Sequence, residues 1–346
     1  MQIEASEDIP GPDLGRRAVR GARPGTGPSL LAPGAARDPY RLYRILREEY
    51  PLSYDAPLGA WLVSRYADVT MALSDPRFTG FPHDNAPRGA PAPLGLCHGS
   101  IHRAPSGKRR RNLYGVVPRH TAERVERAAY VLARRIAGRQ QADLVAEFCR
   151  WLPAGSTADA TAGPYPATDA SPTRPPRTVA DLASPCTRHT GLRETALASF
   201  LANLLDAPDL LVALRSEPAL VASAWTESLR RDPPVQVVLR RTVTEVALSG
   251  GTLPAGASVA CLIGSAGRDP ERFSAPDHFD PFRRDQDQSL TGPVGCPAVV
   301  LGCLEAQQGV RALLDAMPKL RWADGFRPVG TGLLTRGPRT LIVRPG

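Results

Sequence analysis

Glu227-Ser-Leu-Arg230-Arg-Asp-Pro-Pro-Val-Gln-Val-Val-Leu-Arg240 opens the stretch that decides the fold, which runs on to Asp277-His-Phe-Asp-Pro-Phe-Arg283. Glu227 and Arg230 are three residues apart, so on a helix they share a face and can pair. The pattern predicts a helix over 218–231, stopped by Asp232-Pro233-Pro234. Val235 to Leu239 and Ala257 to Leu262 are β-rich runs flanking the turn signals Ser249-Gly-Gly-Thr and Pro254-Ala-Gly, which predicts a small strand-and-turn unit. Gly264-Ser-Ala-Gly-Arg-Asp-Pro-Glu-Arg-Phe273 fills the interval before Asp277. A Glu-x-x-Arg pair arises by chance in any helical protein; the ordered length of the run makes it specific.

Working towards the N-terminus, Leu42, Ile45, Leu46 and Tyr50 fall at helical spacing after Asp38-Pro39-Tyr40. Ala60 to Val63 is a short strand, and Tyr66 opens a helix that ends near Asp75-Pro76. Residues 79–107 read as loop. A long helix is expected from about Arg119 to Leu152, carrying Val125, Ala129, Leu132, Ile136 and Phe148. Residues 153–187 are dense in Pro, Ala, Thr, Ser and Gly and short of large apolar residues, so an extended or disordered connection is expected there. Helical pattern returns over Leu192–Leu205, Leu210–Arg215 and, last, Val299–Met317. Residues 1–37 read as a flexible lead rich in Gly, Pro and Arg, and 38–346 as one mainly helical domain with small β-sheets.

The composition excludes several classes. No run approaches the eighteen or so apolar residues of a membrane span, and the first residues lack the apolar core of a signal peptide. Six cysteines are scattered without Cys-x-x-Cys spacing, which argues against structural zinc and a secreted disulfide framework and makes a cytoplasmic protein the expectation. The net charge of +9 includes the run Lys108-Arg-Arg-Arg111. Such a run attracts acidic partners or is simply a solvated face; without aromatic interleaving it does not read as a nucleic-acid interface.

Taken together, residues 227–283, with Trp61 to Val69 and Asp75-Pro-Arg-Phe78, resemble the bacterial cytochrome P450 superfamily. The resemblance implies a mainly α fold with small β-sheets, a haem b cofactor, and a structural cluster of Glu227, Arg230 and Arg283. Gly292-Pro-Val-Gly-Cys296, followed by Leu304-Glu-Ala-Gln307, matches the spacing of the family's haem loop and makes Cys296 the implied iron ligand. A thiolate there donates electron density to iron, and a position before a helix favours the anion. The plain alternative for Cys296 is a small buried hydrophobe. Arg240 and Arg110 are the implied holders of the haem propionates. In Gly191-Leu-Arg-Glu194-Thr195 the family's acid and alcohol are kept, so Glu194 and Thr195 are the implied proton relay, against an exposed glutamate and a packing threonine.

This chain departs from the pattern in four places. Ser289, Leu290 and Val294 stand where the family has Phe, Gly and a cation, and Leu192 replaces a glycine beside the acid. The family's substrate-covering helices belong near 153–190, where this chain is short. The implied function is a haem-thiolate monooxygenase of secondary metabolism, acting on a small organic substrate with electrons from an acidic ferredoxin that docks on 108–111. The departures keep open a haem-free auxiliary protein that activates a partner glycosyltransferase, or a degenerate inactive homologue.

Overall fold

A computed structural model describes residues 27–80, 119–153, 189–286, 289–290 and 297–346. Helix α1, Pro39–Glu49, starts where Asp38 accepts a hydrogen bond from the Tyr40 N–H at 3.2 Å and Pro39 presets the first turn. Its inner face buries Tyr43 and Leu46 completely, and each such side chain contributes about 1.5–3 kcal/mol by leaving water. Just before it, Leu30 is buried and its N–H donates to Asp55 at 2.8 Å, so the end of the lead docks on the domain. Strands β1 (Leu52–Asp55) and β2 (Ala60–Val63) form an antiparallel hairpin, and α2 (Tyr66–Ser74) and β3 (Phe78–Gly80) follow.

The helical layer is built from α3 (Arg119–Ala137), β4 (Ala142–Asp143), a π-helical turn (Val145–Cys149), α4 (His189–Leu205), α5 (Pro208–Ser216) and α6 (Leu220–Arg231). Then come β5 (Val237–Thr242), β6 (Val246–Leu248), β7 (Gly251–Leu253), β8 (Ser258–Leu262) and the short α7 (Ile263–Ala266). The chain ends with α8 (Pro297–Ala316), β9 (Arg321–Trp322), β10 (Gly330–Thr331), β11 (Gly337–Pro338) and β12 (Ile342–Arg344). One apolar core joins α3 through α6 to α8, with Phe148, Phe200, Leu204 and Leu313 sealed inside. A five-stranded sheet in the order β1-β2-β8-β5-β3 carries two further cores, one on α1 and one on α2. No single helix among the described residues is long and apolar enough to cross a membrane.

Most elements start and stop within a turn of where the sequence places them. The single helix expected over 119–152 is the exception, because it breaks after Ala137. Ala142 and Asp143 pair instead with Val343 and Ile342 of β12, and the Asp143 carboxylate accepts from Val145 N–H and Leu341 N–H, both at 2.9 Å. A strand partner some two hundred residues away overrides local helix propensity here.

Where α6 ends, Asp232 takes the Arg268 guanidinium at 2.7 Å, the Asn203 amide at 3.1 Å and the Tyr40 hydroxyl at 3.1 Å, and Arg268 lies over the Tyr40 ring at 3.4 Å. Burial pushes the Asp232 carboxyl up, but Arg268 and Arg231 outweigh it and leave it below its ordinary range. Burial raises the Asp277 carboxyl as well, and Arg268, with Arg44 and Arg47, outweighs it and leaves it below its ordinary value. A carboxyl depressed in the folded state contributes stability above its unfolded pKa and loses it as pH falls through the folded value. The melting temperature is therefore expected to hold between about pH 7 and 5 and to drop below about pH 4. Calorimetry of Asp232→Asn should show a shallower acid slope than the parent; an unchanged slope would refute this assignment.

Candidate functional site

The best-defined polar centre lies on the inner face of α6. One helical turn brings Arg230 back over Glu227, and the pair is bidentate: Nε to Oε2 at 2.8 Å and Nη2 to Oε1 at 2.7 Å. Arg283 reaches the same carboxylate through Nε at 3.2 and 3.3 Å, and the Asp280 N–H adds a bond at 3.0 Å. Two guanidiniums thus face one carboxylate, with the Glu227 and Arg230 side chains fully out of solvent. Their remaining donors go to main-chain carbonyls: Arg230 to Gly267 at 2.6 Å, Pro276 at 2.7 Å and His278 at 3.0 Å, and Arg283 to Ser274 at 2.6 Å. The cluster therefore pins the whole loop between α7 and residue 283 beneath α6. Gly267 permits this approach, since a Cβ there would lie 2.2 Å from the Arg230 carbonyl oxygen. The predicted trio Glu227, Arg230 and Arg283 is brought together as the sequence implies.

That loop leads to the segment before α8. Leu290 is buried in the core that holds Phe78 and Phe273, and Ser289 is sealed with no hydrogen-bond partner for its Oγ among the described residues. Residues 291–296 lie outside the described residues, and so do Cys296 and Arg110. α8 begins at Pro297, one residue after Cys296. Arg240 sits on β5 opposite Gly80 of β3 and Val259 of β8, is 3% exposed, and donates Nη1 to its neighbour Leu239 at 3.0 Å. Burial holds its guanidinium below the ordinary value, with the nearby Cys261 pulling it back.

On α4, three consecutive side chains meet three different elements, as a helix that turns about 100° per residue requires. Arg193 is buried and forms an ion pair with Glu305 of α8. Glu194 is half-buried and faces Arg150, Nε to Oε1 at 3.6 Å, beyond the π-helical turn. Burial raises its carboxyl above the ordinary value, and Arg150 offsets part of the rise. Thr195 donates back to the Gly191 carbonyl at 2.8 Å, and β11 covers one flank of it: a Cβ on Gly337 would come within 2.5 Å of Thr195 Cγ2. Glu194 and Thr195 are thus adjacent in sequence but engaged by separate partners, and Leu192 beside them is half-buried. The Arg193–Glu305 pair was missed by sequence reasoning, because its members are 112 residues apart and Arg193 occupies the variable position of the acid–alcohol motif. The one signal on offer was a charged residue inside an otherwise apolar helical run.

Residues 202–293 match the family model described as Cytochrome P450. Protein DesVIII of Streptomyces venezuelae is 42% identical over 141 residues, which are 38% of this chain and 35% of that protein. Cytochrome P450 monooxygenase PikC of the same organism is 40% identical over 128 residues, 36% of this chain and 30% of that protein. The chain thus spans about a third of the length of these curated relatives. Among solved structures, the CYP116B5 haem domain of Acinetobacter radioresistens superposes with a TM-score of 0.71 at 17% identity, over 93% of this chain and 98% of that one. The fold is mainly helical with small β-sheets, as in that solved structure. Residues 202–293 are thus similar to the bacterial cytochrome P450 superfamily, and the chain shares the fold of its solved members.

Members of that family bind haem. Among the described residues, the test of fit falls on Arg240: a buried guanidinium on a sheet strand is the kind of donor a propionate carboxylate requires. The matched region ends at residue 293 and starts after Thr195, so it includes Arg240 and the Glu227 cluster but not Cys296, Glu194 or Thr195.

Proposed function

We propose that the chain is a haem-thiolate monooxygenase that hydroxylates a small secondary-metabolic substrate with dioxygen and electrons from an acidic ferredoxin. The observation that supports this reading is the start of α8 at Pro297, the residue that follows Cys296 in sequence; the N–H groups and positive dipole end of a twenty-residue helix favour a thiolate at such a position. Haem, when bound, supplies dioxygen activation, strengthened by the electron push of a thiolate ligand. This chain's own residues have narrower tasks. Cys296 provides the thiolate. Arg240 and Arg110 hold propionate carboxylates. Glu194, whose carboxyl burial raises above its ordinary value, is the proton donor along α4, and the Thr195 hydroxyl orients delivery. The basic run 108–111 receives the acidic redox partner. The name of PikC as a P450 monooxygenase supports the reaction class. An absorption spectrum of the purified protein tests it: a Soret band that shifts on reduction under carbon monoxide to the thiolate position is expected, and its absence ends the reading.

A second reading has its own observation. Leu192 stands half-buried in place of the family's glycine, and the β11 backbone closes on Thr195, so the dioxygen side of α4 is narrowed. This favours a haem-free auxiliary protein that activates a partner glycosyltransferase. Glycosyl transfer measured with and without this chain decides it; equal rates exclude the auxiliary role.

A further inference from the structure

We propose that Arg193 is a positioning residue: its buried ion pair with Glu305 fixes the rotation of α4 about its own axis and so aims Glu194 and Thr195. The argument begins with what α4 lacks. Every residue from Ala196 to Leu205 is buried, so the helix has no apolar stripe opposite a polar one to set which side faces which neighbour. Directional contacts must set the rotation instead. At the C-terminal end this is Asn203, whose amide bonds Ser228 at 3.0 Å and Asp232 at 3.1 Å. At the N-terminal end it is Arg193, 4% exposed against a Glu305 that is 1% exposed.

The Arg193 guanidinium also donates Nη2 to the Pro153 carbonyl at 3.3 Å, so a single planar fork ties α4 to α8 and to the end of the π-turn segment. Gly302 of α8 lies beside it and admits Trp225, to which a Cβ there would come within 3.2 Å. Glu194 and Thr195 follow in sequence, so a turn of the helix at Arg193 displaces both from Arg150 and Gly337. The aim is a property of the fold alone; its use in proton handling rests on the monooxygenase reading above.

The experiment separates aim from stability. Thr195→Cys is introduced as a reporter, and its alkylation by iodoacetamide is followed by mass spectrometry of the peptide that carries residue 195. The rate is compared in Arg193→Leu, Glu305→Leu, the double Leu variant and Arg193→Lys. Each single Leu variant leaves one buried charge uncompensated and should lower the melting temperature. The double variant removes both charges and should regain most of it. If the pair aims the helix, the double variant still alkylates about fivefold faster than the reporter parent, and Arg193→Lys falls between them. Parent-like alkylation in the folded double variant and in Arg193→Lys overturns the proposal. The Soret band is recorded on the same samples. A parent without it ends the haem reading and leaves the labelling rates to decide the aim of α4.

Discussion

Glu227→Ala is expected to lower the melting temperature by roughly 10 °C. The reason is the charge count around that carboxylate. Arg230 and Arg283 both direct donors at Glu227, and all three side chains are 4% exposed or less. Removing the carboxylate leaves two guanidiniums buried together, and breaking a buried pair of this kind costs about 3–5 kcal/mol. The whole domain has about 5–15 kcal/mol in hand.

Replacing the trio with apolar residues should not rescue it. The two arginines also satisfy the carbonyls of Gly267, Ser274, Pro276 and His278, and orphaned buried acceptors cost about 1–3 kcal/mol each. Ala275 adds to the dependence, since it holds a left-handed φ of 42° and its carbonyl accepts from Arg283 at 3.4 Å. The exposed pair Arg44–Asp277 is the control: at 60% and 53% side-chain exposure its Arg44→Ala variant should shift the midpoint by no more than a degree or so, for a contribution of about 0–1 kcal/mol. Thermal denaturation by circular dichroism measures both. A Glu227→Ala protein that melts within about 3 °C of the parent would show that water or relaxation compensates the arginines.

This cluster was legible in the sequence for two separate reasons. Glu227 and Arg230 share a face by helical spacing alone, whereas Arg283 joins them only through the family pattern, because nothing local links residues fifty-six apart. The boundaries of α1, α6 and α8 were legible because prolines and apolar spacing agree there, with the Asp38 cap added at α1. What the sequence hid was non-local. The break after Ala137 depends on β12, and the Arg193–Glu305 pair depends on two helices brought together by the core. Gly337 reads as a turn glycine, yet its demand comes from Thr195 across a helix–strand contact. Long-range pairings of single residues leave no periodicity, so only the assembled fold exposes them.

Cys296→Ala is expected to abolish the thiolate signature of the reduced, carbonyl-bound spectrum outright, where Arg240→Leu only weakens haem retention. The contrast follows from what each residue supplies. A Cys296 thiolate would itself donate to the iron, so its loss would change the electronic state there. Arg240 would supply a charge-assisted hydrogen bond, worth about 1.5–3 kcal/mol, so in its Leu variant haem should leave roughly 10- to 100-fold faster while the band position stays. The three described cysteines bear on the assignment. Cys261 is buried and its thiol is pushed up to about 12, and burial drives the Cys149 thiol well above its ordinary value, so both stay protonated at neutral pH. Cys303 is half-buried on α8, seven residues beyond Cys296, which places it nearly two turns inside the helix and away from its N-terminal N–H groups. The Cys303→Ala spectrum should therefore match the parent. If Cys303→Ala loses the signature and Cys296→Ala keeps it, the ligand lies within α8 and the assigned haem loop is not the family's loop at all.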